Sequence, residues 1–351
     1  MRWSVLFAVA ACGGGHSTKP DSAVTGDVAI DMPRDSTLTP DADPNNPPTL
    51  YDTGLCVDRA CTQINAGISA YTPSFALWSD AATKRRWIQL PAGAQIDTTD
   101  PDHWVFPVGT KIWKEFTAEN GGPRIETRFI WRQAMGTQSD WFYLSYEWNA
   151  PNDDTTAQPF GDMNVNGTQH DIPARFQCKL CHEGISSRVL GFGAIQLDHA
   201  AATGDIAIDD LVTGGKLTQN PPGASAPHYP LPGTGSATAA IGYLHANCGH
   251  CHNPQSKVFT DQNINMTLRL AVGSLGSLSA TPVYQTAVDH DASIAIDGLT
   301  KRIVTDDPTH SILIDRFSAD PTSSKHMPQL GSEVIDTTAQ ATLVDWITHI
   351  Q

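Results

Sequence analysis

Basic residues are few in this sequence, and long apolar runs are absent after the first dozen positions. The chain carries 22 lysines and arginines against 37 aspartates and glutamates, which gives a net charge of −15. Basic residues form only short clusters such as Lys84-Arg85-Arg86, so nucleic acid is not expected as a partner. No stretch beyond residue 12 is apolar over the roughly 20 positions that a membrane-spanning helix requires.

The signatures of several enzyme classes are also missing from the sequence. It has no Ser/His/Asp constellation, no glycine-rich phosphate loop and no zincin motif. Nothing in it therefore supports a hydrolase or a kinase.

Cysteine is scarce, with seven in 351 residues, yet four of the seven stand in two copies of one pattern. The copies are Cys178–His182 and Cys248–His252, each with two cysteines separated by two residues and followed directly by histidine. This spacing is typical of c-type haem attachment, in which each sulfur adds to a haem vinyl group and the histidine becomes the proximal iron ligand. The pattern predicts two covalent haems c, attached through Cys178, Cys181, Cys248 and Cys251, with His182 and His252 on the irons.

A zinc site is the alternative interpretation of these clusters. His245 and His250 add nitrogen donors around Cys248 and Cys251, and zinc accepts such mixed sets. A zinc site needs only some of these residues, however, and does not account for the same pattern twice. Haem is the favoured prediction, and His250, between two haem cysteines, is predicted to be a solvent-facing linker residue.

The first 12 residues predict export. One basic residue, an apolar run and small residues lead to Cys12, as in a secretory signal peptide. Val9-Ala10-Ala11-Cys12 resembles the lipobox of bacterial lipoproteins, in which the signal is cut before a cysteine that becomes lipid-modified. The resemblance implies a membrane anchor at Cys12 and an exported protein, periplasmic or attached to the bacterial outer membrane. An ordinary secretory signal is the alternative.

Residues 13–49 predict a disordered tether. They are rich in Gly, Ser, Thr, Asp and Pro and contain hardly any large apolar residue. Such a segment cannot bury enough surface to offset the entropy lost on ordering. It is expected to link the anchor flexibly to the folded body.

Cys56 and Cys61 remain once lipid and haem have been assigned. An oxidising compartment permits a disulfide between them, and a disulfide is the prediction. A redox-active pair is the alternative, although four residues separate these cysteines instead of the two of a thioredoxin-like motif.

Residues 50–150 predict a β-rich module that is unusually rich in tryptophan. Alternate residues over 125–132 and 142–148 are apolar or aromatic, which is typical of half-buried strands. Glu126, Arg128 and Arg132 lie on the opposite face of the first run. Turn signals separate such runs, so we expect an antiparallel β-sandwich-like or barrel-like module whose tryptophans form its core and not a ligand-stacking platform.

The remaining chain predicts an irregular segment followed by a mainly helical domain. Residues 151–234 are rich in Pro, Gly, Asp and Asn and carry the first haem motif. The fold class predicted for the whole chain is multidomain α+β. The expected elements are helices at 208–217, 238–247, 307–317 and 337–350, and strands at 266–272 and 302–304.

The order of features from 235 to 351 resembles class I cytochromes c. A helix precedes the haem motif, and His326-Met327-Pro328 precedes an aromatic-bearing terminal helix. In that family the methionine is the distal iron ligand and the two terminal helices pack together. The resemblance implies a cytochrome c-like domain with Met327 as distal ligand of the second haem. A core methionine is the alternative, and His326 is the second candidate ligand.

The first haem has no clear distal partner in the sequence. His199 is retained as a candidate iron ligand, with His170 and Met163 as further candidates. A surface or structural role is the alternative for each.

Several stretches across the body recur in a family of exported di-haem c-type cytochromes, which this chain resembles from about residue 50 to residue 351. The resemblance implies a haem protein with redox function and names no substrate. The stretches are Leu77–Asp80, Phe106–Lys111, Tyr243–Pro254, Arg302–Val304 and Met327–Gly331.

An electron carrier is therefore the leading functional hypothesis. Two haems would pass electrons to or from a redox partner protein, and the acidic chain would suit a partner with a complementary patch. A di-haem redox enzyme such as a peroxidase, with one open iron site, is the alternative. A third hypothesis makes the β-rich module a ligand binder with the cytochrome as its redox tail.

Overall fold

The structure is a computed structural model, and it describes residues 47–133 and 141–350. The predicted signal peptide, the lipidation site Cys12 and residues 13–46 of the predicted tether lie outside the described residues. The end of the predicted tether belongs to the folded body, because the Pro47 carbonyl accepts a hydrogen bond from the buried Tyr146 hydroxyl at 2.8 Å. The folded body thus includes residues 47–49.

One antiparallel sheet of six strands forms the N-terminal half of the described chain. The strands follow one another as a meander, so each hydrogen-bonds to its neighbour in sequence. β-Branched and aromatic residues at alternate positions explain why these segments are strands. They are β1 (Ser69–Ala70), β2 (Thr83–Gln89), β3 (Lys111–Thr117), β4 (Arg124–Arg132), β5 (Trp141–Trp148) and β6 (Thr155–Ala157).

Both faces of this sheet are buried. On one face Trp87, Trp113 and Phe129 pack against Leu50 and Leu55, which precede the sheet in the chain. The other face packs against residues from the segment 189–217, and its strand residues include Ile88, Ile112, Ile130 and Tyr143.

The covering layers are loops and short helices, and within residues 47–133 and 141–350 no second sheet faces the first. The sandwich prediction is wrong on this point, because a period-two pattern shows that a face is buried without showing what covers it. The antiparallel strands and the tryptophan core are confirmed, with Trp113 and Trp148 fully buried.

Seven α-helices lie in the described part of the chain, most of them short. They are α1 (Arg175–His182), α2 (Ile208–Thr213), α3 (Ser236–Asn247), α4 (Lys257–Asp261), α5 (Pro282–Thr286), α6 (Ile312–Phe317) and α7 (Thr337–Thr348). With the sheet they confirm the α+β class. None of the helices in residues 47–133 and 141–350 has the length and apolar character needed to cross a bilayer.

The strands predicted at 266–272 and 302–304 are wrong. The first segment is extended, but its backbone amides do not pair with a neighbouring strand. The Leu268 and Leu270 amides bind His252 and His245 near the second motif, and those of residues 267 and 272 bind the side chains of residues 286 and 102. Residues 303 and 304 make only isolated bridges. The hairpin of this region is β7 (Asp291–Ile296) with β8 (Leu299–Lys301), joined through Asp297-Gly298, a favoured turn pair that the prediction overlooked.

Helices α3 and α7 pack against each other in the C-terminal part. Ile241 and Leu244 of α3 share a buried cluster with Leu343, Trp346 and Ile347 of α7. The Trp346 indole also donates a hydrogen bond to the Tyr284 hydroxyl at 3.2 Å. This pairing holds α3, and therefore the second motif that follows it, in a fixed place.

Candidate functional site

The first motif forms the last turns of α1, beside the sheet. The His182 ring lies 5.4 Å from the Tyr143 ring of β5, and the Arg175 guanidinium lies 4.4 Å from the centroid of Phe142. The helix begins at a local cap, where the Gln177 side chain accepts a hydrogen bond from the Ala174 amide at 2.7 Å. That Ala-x-x-Gln spacing, which resembles half of a capping box, could have predicted this helix.

A backbone carbonyl orients the imidazole of His182. Its Nδ1 lies 2.7 Å from the Arg188 carbonyl oxygen. Because a carbonyl only accepts, Nδ1 carries the proton and Nε2 is the available lone pair. Burial lowers the pKa of His182 to about 4, so the ring is neutral at pH 7. A neutral imidazole whose second nitrogen is hydrogen-bonded is the usual state of a metal-ligating histidine.

The second motif begins where α3 ends. The Asn247 side chain accepts a hydrogen bond from the Trp78 amide at 2.6 Å and donates one to the Ala76 carbonyl at 3.1 Å. These bonds attach the residue before Cys248 to the loop between β1 and β2. The loop that includes Leu77–Asp80 therefore positions the motif.

His252 lies in a dry environment with one nitrogen unused. Its carbonyl accepts a hydrogen bond from the Leu268 amide at 2.9 Å. Its Nδ1 is buried and has no hydrogen-bond partner within the described residues. Burial, with the nearby charge of Arg316, lowers the pKa of His252 to about 4. A buried polar atom without a partner is unusual and is explained by strain, by a redox or catalytic role, or by a water or ion bound beside it.

The two motifs meet directly. The Sγ atoms of Cys181 and Cys251 and a ring nitrogen of His250 all lie within 4.8 Å of one another. The Asn253 side-chain amide donates to the carbonyls of Gly184 at 3.0 Å and of His250 at 3.1 Å, which ties the two segments together. We call these five residues the motif junction.

His250 is buried in the junction, with 7% of its surface exposed. The prediction of a solvent-facing linker is wrong, because the first motif, distant in sequence, covers it. His245, the other extra nitrogen donor, lies outside the three-donor group and accepts a hydrogen bond at Nδ1 from the Leu270 amide at 3.0 Å.

None of the four motif cysteines forms a disulfide, and all are partly buried. Burial raises the pKa of Cys178 to about 11 and that of Cys248 to about 12. At Cys181 a hydrogen bond from Cys251 and the proximity of His250 hold the thiol pKa well below its usual range. One thiolate is thus favoured at the junction, supported by a neighbouring thiol and an imidazole. Cys56 and Cys61, by contrast, are joined in a disulfide.

The candidate distal ligands differ in their availability. Met327 is half-buried, and its amide donates to the Arg316 carbonyl at 3.1 Å, which places its backbone near the residue whose charge acts on His252. Both ring nitrogens of His326 are within hydrogen-bond distance of other groups, the Ala319 carbonyl at 3.0 Å and the Ser332 hydroxyl at 3.1 Å.

The candidate distal ligands for the first motif are also engaged elsewhere or remote from it. Both ring nitrogens of the half-buried His199 face backbone carbonyls, of Ala200 at 2.9 Å and Thr72 at 2.8 Å. Met163 is 64% exposed. His170 is buried, and its Nε2 lies 2.8 Å from the Glu126 carboxylate. No described contact brings any of the three to His182.

Sequence reasoning missed a buried ionic network beside the first motif. Glu126 is fully buried between His170 and Arg128, whose Nε donates to the carboxylate at 2.8 Å. Burial alone would raise the pKa of Glu126, but the Arg128 charge and the hydrogen bonds from both partners hold it at about 2. The charge of Arg128 acts in turn on Cys178, so this network faces the motif.

The chain matches no protein-family model, no curated protein and no solved structure. Its function has to be inferred from its own residues and their arrangement.

The donor set is compatible with two kinds of centre. Two pairs of free cysteines, each followed by a neutral, half-buried histidine, fit covalent haem attachment with histidine ligation. The Cys181, His250 and Cys251 atoms alone fit a soft divalent metal. The oriented ring of His182, with Nδ1 hydrogen-bonded and Nε2 available, lies outside that three-atom group and favours haem.

Proposed function

We propose that this protein is an exported c-type cytochrome that binds two covalent haems and transfers electrons. The observation that carries the proposal is the pair of complete motifs, Cys178–His182 and Cys248–His252. Their cysteines are free and their histidines are neutral, although the motifs stand on separate parts of the chain.

In this function the polypeptide holds the two haems and orients the histidines that bind their irons. Cys178 and Cys181 hold one haem and Cys248 and Cys251 the other, through thioether bonds. His182, fixed by the Arg188 carbonyl, presents Nε2 in a defined direction. A haem bound in this way supplies a one-electron redox centre.

The motif junction supports electron passage between the two centres. Cys181 of one motif and Cys251 of the other are neighbours, so groups attached to them would be close. Asn253 fixes this approach through bonds to both segments. A single redox unit with two linked sites is the arrangement that this geometry favours.

The C-terminal part is proposed to be a class I cytochrome c-like domain. The contact between α3, which precedes the second motif, and the terminal helix α7 supports this assignment. Met327 is proposed as distal ligand of the second haem, and the hydrogen-bonded state of His326 makes the methionine the better candidate.

A redox-titrated optical and EPR spectrum of the exported protein tests the proposal. We expect two haem signals with separate midpoint potentials, of which the signal of the second haem, with His/Met ligation, should be low-spin and have the higher potential. Adding hydrogen peroxide to the half-reduced protein separates carrier from peroxidase: slow bleaching without turnover fits a carrier, and turnover at an enzymatic rate fits the enzyme. The absence of a Soret band after expression with c-type maturation contradicts both.

A soft-metal site, most simply zinc, is the second candidate, and the three-donor group at the junction favours it. In that case the purified protein holds about one metal ion per chain and no haem. Cys178 and Cys248 then react with an alkylating reagent, and His250→Ala lowers the metal content. If haem occupies both motifs, Cys181 and Cys251 are already consumed and all four cysteines resist alkylation.

Membrane attachment through a lipid on Cys12 is proposed from the small residues before it and the polar segment after it. Cys12→Ser should move the protein from the membrane fraction to the soluble fraction. A wild-type protein that is already soluble and cleaved elsewhere contradicts the lipid anchor.

A further inference from the structure

Three cations stand side by side across one face of the sheet. The strand register pairs Arg86 of β2 with Lys114 of β3, and Lys114 with Arg128 of β4. Directly opposed residues of an antiparallel pair project to the same face, and like charges at such positions destabilise a sheet. Lys84, two residues before Arg86, adds a fourth cation to this face. We call these four residues the cation row.

The carboxylate nearest to the row neutralises only one of its cations. Glu126 is bonded to Arg128 and to His170. Glu147, opposite Glu126 on β5, accepts a hydrogen bond from Gln158 at 2.5 Å. Within residues 47–133 and 141–350 the Arg86 guanidinium has no hydrogen bond or ion pair, although only 6% of the residue is exposed.

Lys114 is likewise without an anionic partner in the described chain. Its Nζ lies 4.7 Å from the centroid of Phe116, and the Arg128 guanidinium lies 4.4 Å from the same ring. Burial lowers the pKa of Lys114 well below its usual range, and the charges of Arg86 and Arg128 add to this effect. Holding an unpaired cation such as Arg86 out of water is costly, so Arg86, with Lys114 beside it, forms a place for an anion that the described residues do not supply.

The cation row faces the first motif. Cys178 packs against the cluster that includes Ile112 and Ile130, which lie two residues from Lys114 and Arg128 on the same face of the sheet. The His182 ring lies 5.4 Å from the ring of Tyr143, a member of the same cluster. Arg128 also acts electrostatically on Cys178 and Cys181. A group attached at this motif would therefore lie beside the row.

We propose that the cation row, chiefly Arg86 and Lys114, binds a propionate carboxylate of the haem attached at Cys178 and Cys181. This inference rests on the proposed haem function. A haem carries two propionates, and Arg and Lys are the side chains that pair most strongly with carboxylates. The row would position the first haem, and it would keep the propionate ionised.

Other titratable groups face the same space and must be considered in any pH experiment. Tyr71 lies near Arg86, and burial raises its pKa to about 12, so it stays neutral. Glu126 stays ionised because its pKa is about 2. The others facing the row are Asp80, Tyr143, Glu147, His170, Cys178, Cys181, His182 and Asp336.

The test is spectroelectrochemistry of the haem-loaded protein and its variants between pH 5 and pH 8. Lys114→Met and Arg86→Gln each remove one cation and should shift the midpoint potential of the first haem downwards, because a less compensated propionate favours ferric iron. The propionate pKa should rise in these variants, so the potential of the first haem should gain a dependence on pH that the wild type lacks. The potential of the second haem should stay unchanged.

Arg85→Gln is the matched control, because Arg85 neighbours Arg86 in sequence but is exposed on the other face, 4.9 Å over the Trp87 ring. It should change neither potential. Lys114→Arg keeps the charge and should retain the wild-type potential and its weak pH dependence. If the variants Lys114→Met and Arg86→Gln both fail to accumulate as haem-loaded protein, the charge-keeping variant Lys114→Arg must still load haem at wild-type levels. The proposal is wrong if it does not.

The remaining outcomes separate this proposal from the haem function itself. Two attached haems with unchanged potentials in Lys114→Met and Arg86→Gln overturn the propionate site and leave the cytochrome assignment standing. If inorganic phosphate shifts the midpoint potential of the first haem in the wild type, the row binds a free anion, and this result also overturns the propionate site. A protein without haem at Cys178 and Cys181 overturns both.

Discussion

Cys181 and Cys251 lie side by side, within 4.8 Å of each other at their sulfur atoms, although 70 positions (251 minus 181) separate them. Each belongs to a separate cysteine–histidine motif, so the fold joins two sites that the sequence presents as independent. Electronic coupling between redox centres depends steeply on distance. The contact therefore favours one unit with two centres over two isolated centres. Variants that disturb the packing at the junction test this.

Gly184 is required where the two motifs touch. A Cβ atom at this position would lie 2.3 Å from the backbone carbonyl oxygen of His250, and a backbone atom cannot move aside cheaply. Gly184→Ala should destabilise the protein by about 1–3 kcal/mol, as overpacking does, and should alter the spectra of both proposed haems together.

Gly276→Ala is the control, because no atom lies within 4 Å of a Cβ atom built there. The measurement is urea denaturation followed by tryptophan fluorescence, with the optical spectrum recorded in parallel. Equal stability of the two variants would show that the junction is not tightly packed.

Glu126 should make the protein sensitive to acid. Its folded pKa of about 2 is below the ordinary value of 4.5, so its stabilising contribution is complete above pH 4.5 and is lost as the pH falls towards 2. Linkage puts that contribution on the order of 3 kcal/mol.

Glu126→Gln should lower the free energy of unfolding at pH 6 by about 3–5 kcal/mol, because Arg128 is left without its partner. The variant should then lose less stability than the wild type between pH 6 and pH 3. Glu119→Gln, which changes an exposed carboxylate, should leave the pH dependence intact. A Glu126→Gln protein with the wild-type acid profile would show that another group controls it.

Met327→Ala tests the proposed distal ligand of the second haem. A thioether ligand favours ferrous iron, so its loss should lower the potential of that haem and abolish the sulfur-to-iron charge-transfer absorption of the oxidised form. The opened iron should then bind carbon monoxide. Met163→Ala, at a position 64% exposed, should have none of these effects. An unchanged spectrum in Met327→Ala would exclude the methionine, and His326 would be tested next.

Local pattern predicted the strands of the six-stranded sheet and the long helices α3 and α7 well. Trp113 and Trp148 are buried as expected, because alternation along a strand is a property of neighbouring residues. Helix α7 begins at Thr337 as predicted, after Asp336, whose carboxylate accepts a hydrogen bond from the Ala339 amide at 2.9 Å. Such caps are visible in sequence.

Long-range contacts account for what the sequence did not predict. His250 is buried by Cys181 and Gly184, which no local pattern around residue 250 reveals. Glu126 stands on the polar side of an alternating strand, yet it is fully buried because His170 folds over it. The second motif and the alternation of the strand are both visible in the sequence. The residues that bury His250 and Glu126 come from distant segments of the chain.

The most direct measurement is a mass spectrum, under denaturing conditions, of the protein exported from a host with c-type maturation. Covalent haem survives denaturation, so the protein should exceed its processed chain by two haem masses, and Cys178, Cys181, Cys248 and Cys251 should all resist alkylation. A chain without any haem adduct, in which these four cysteines react, would contradict the cytochrome assignment.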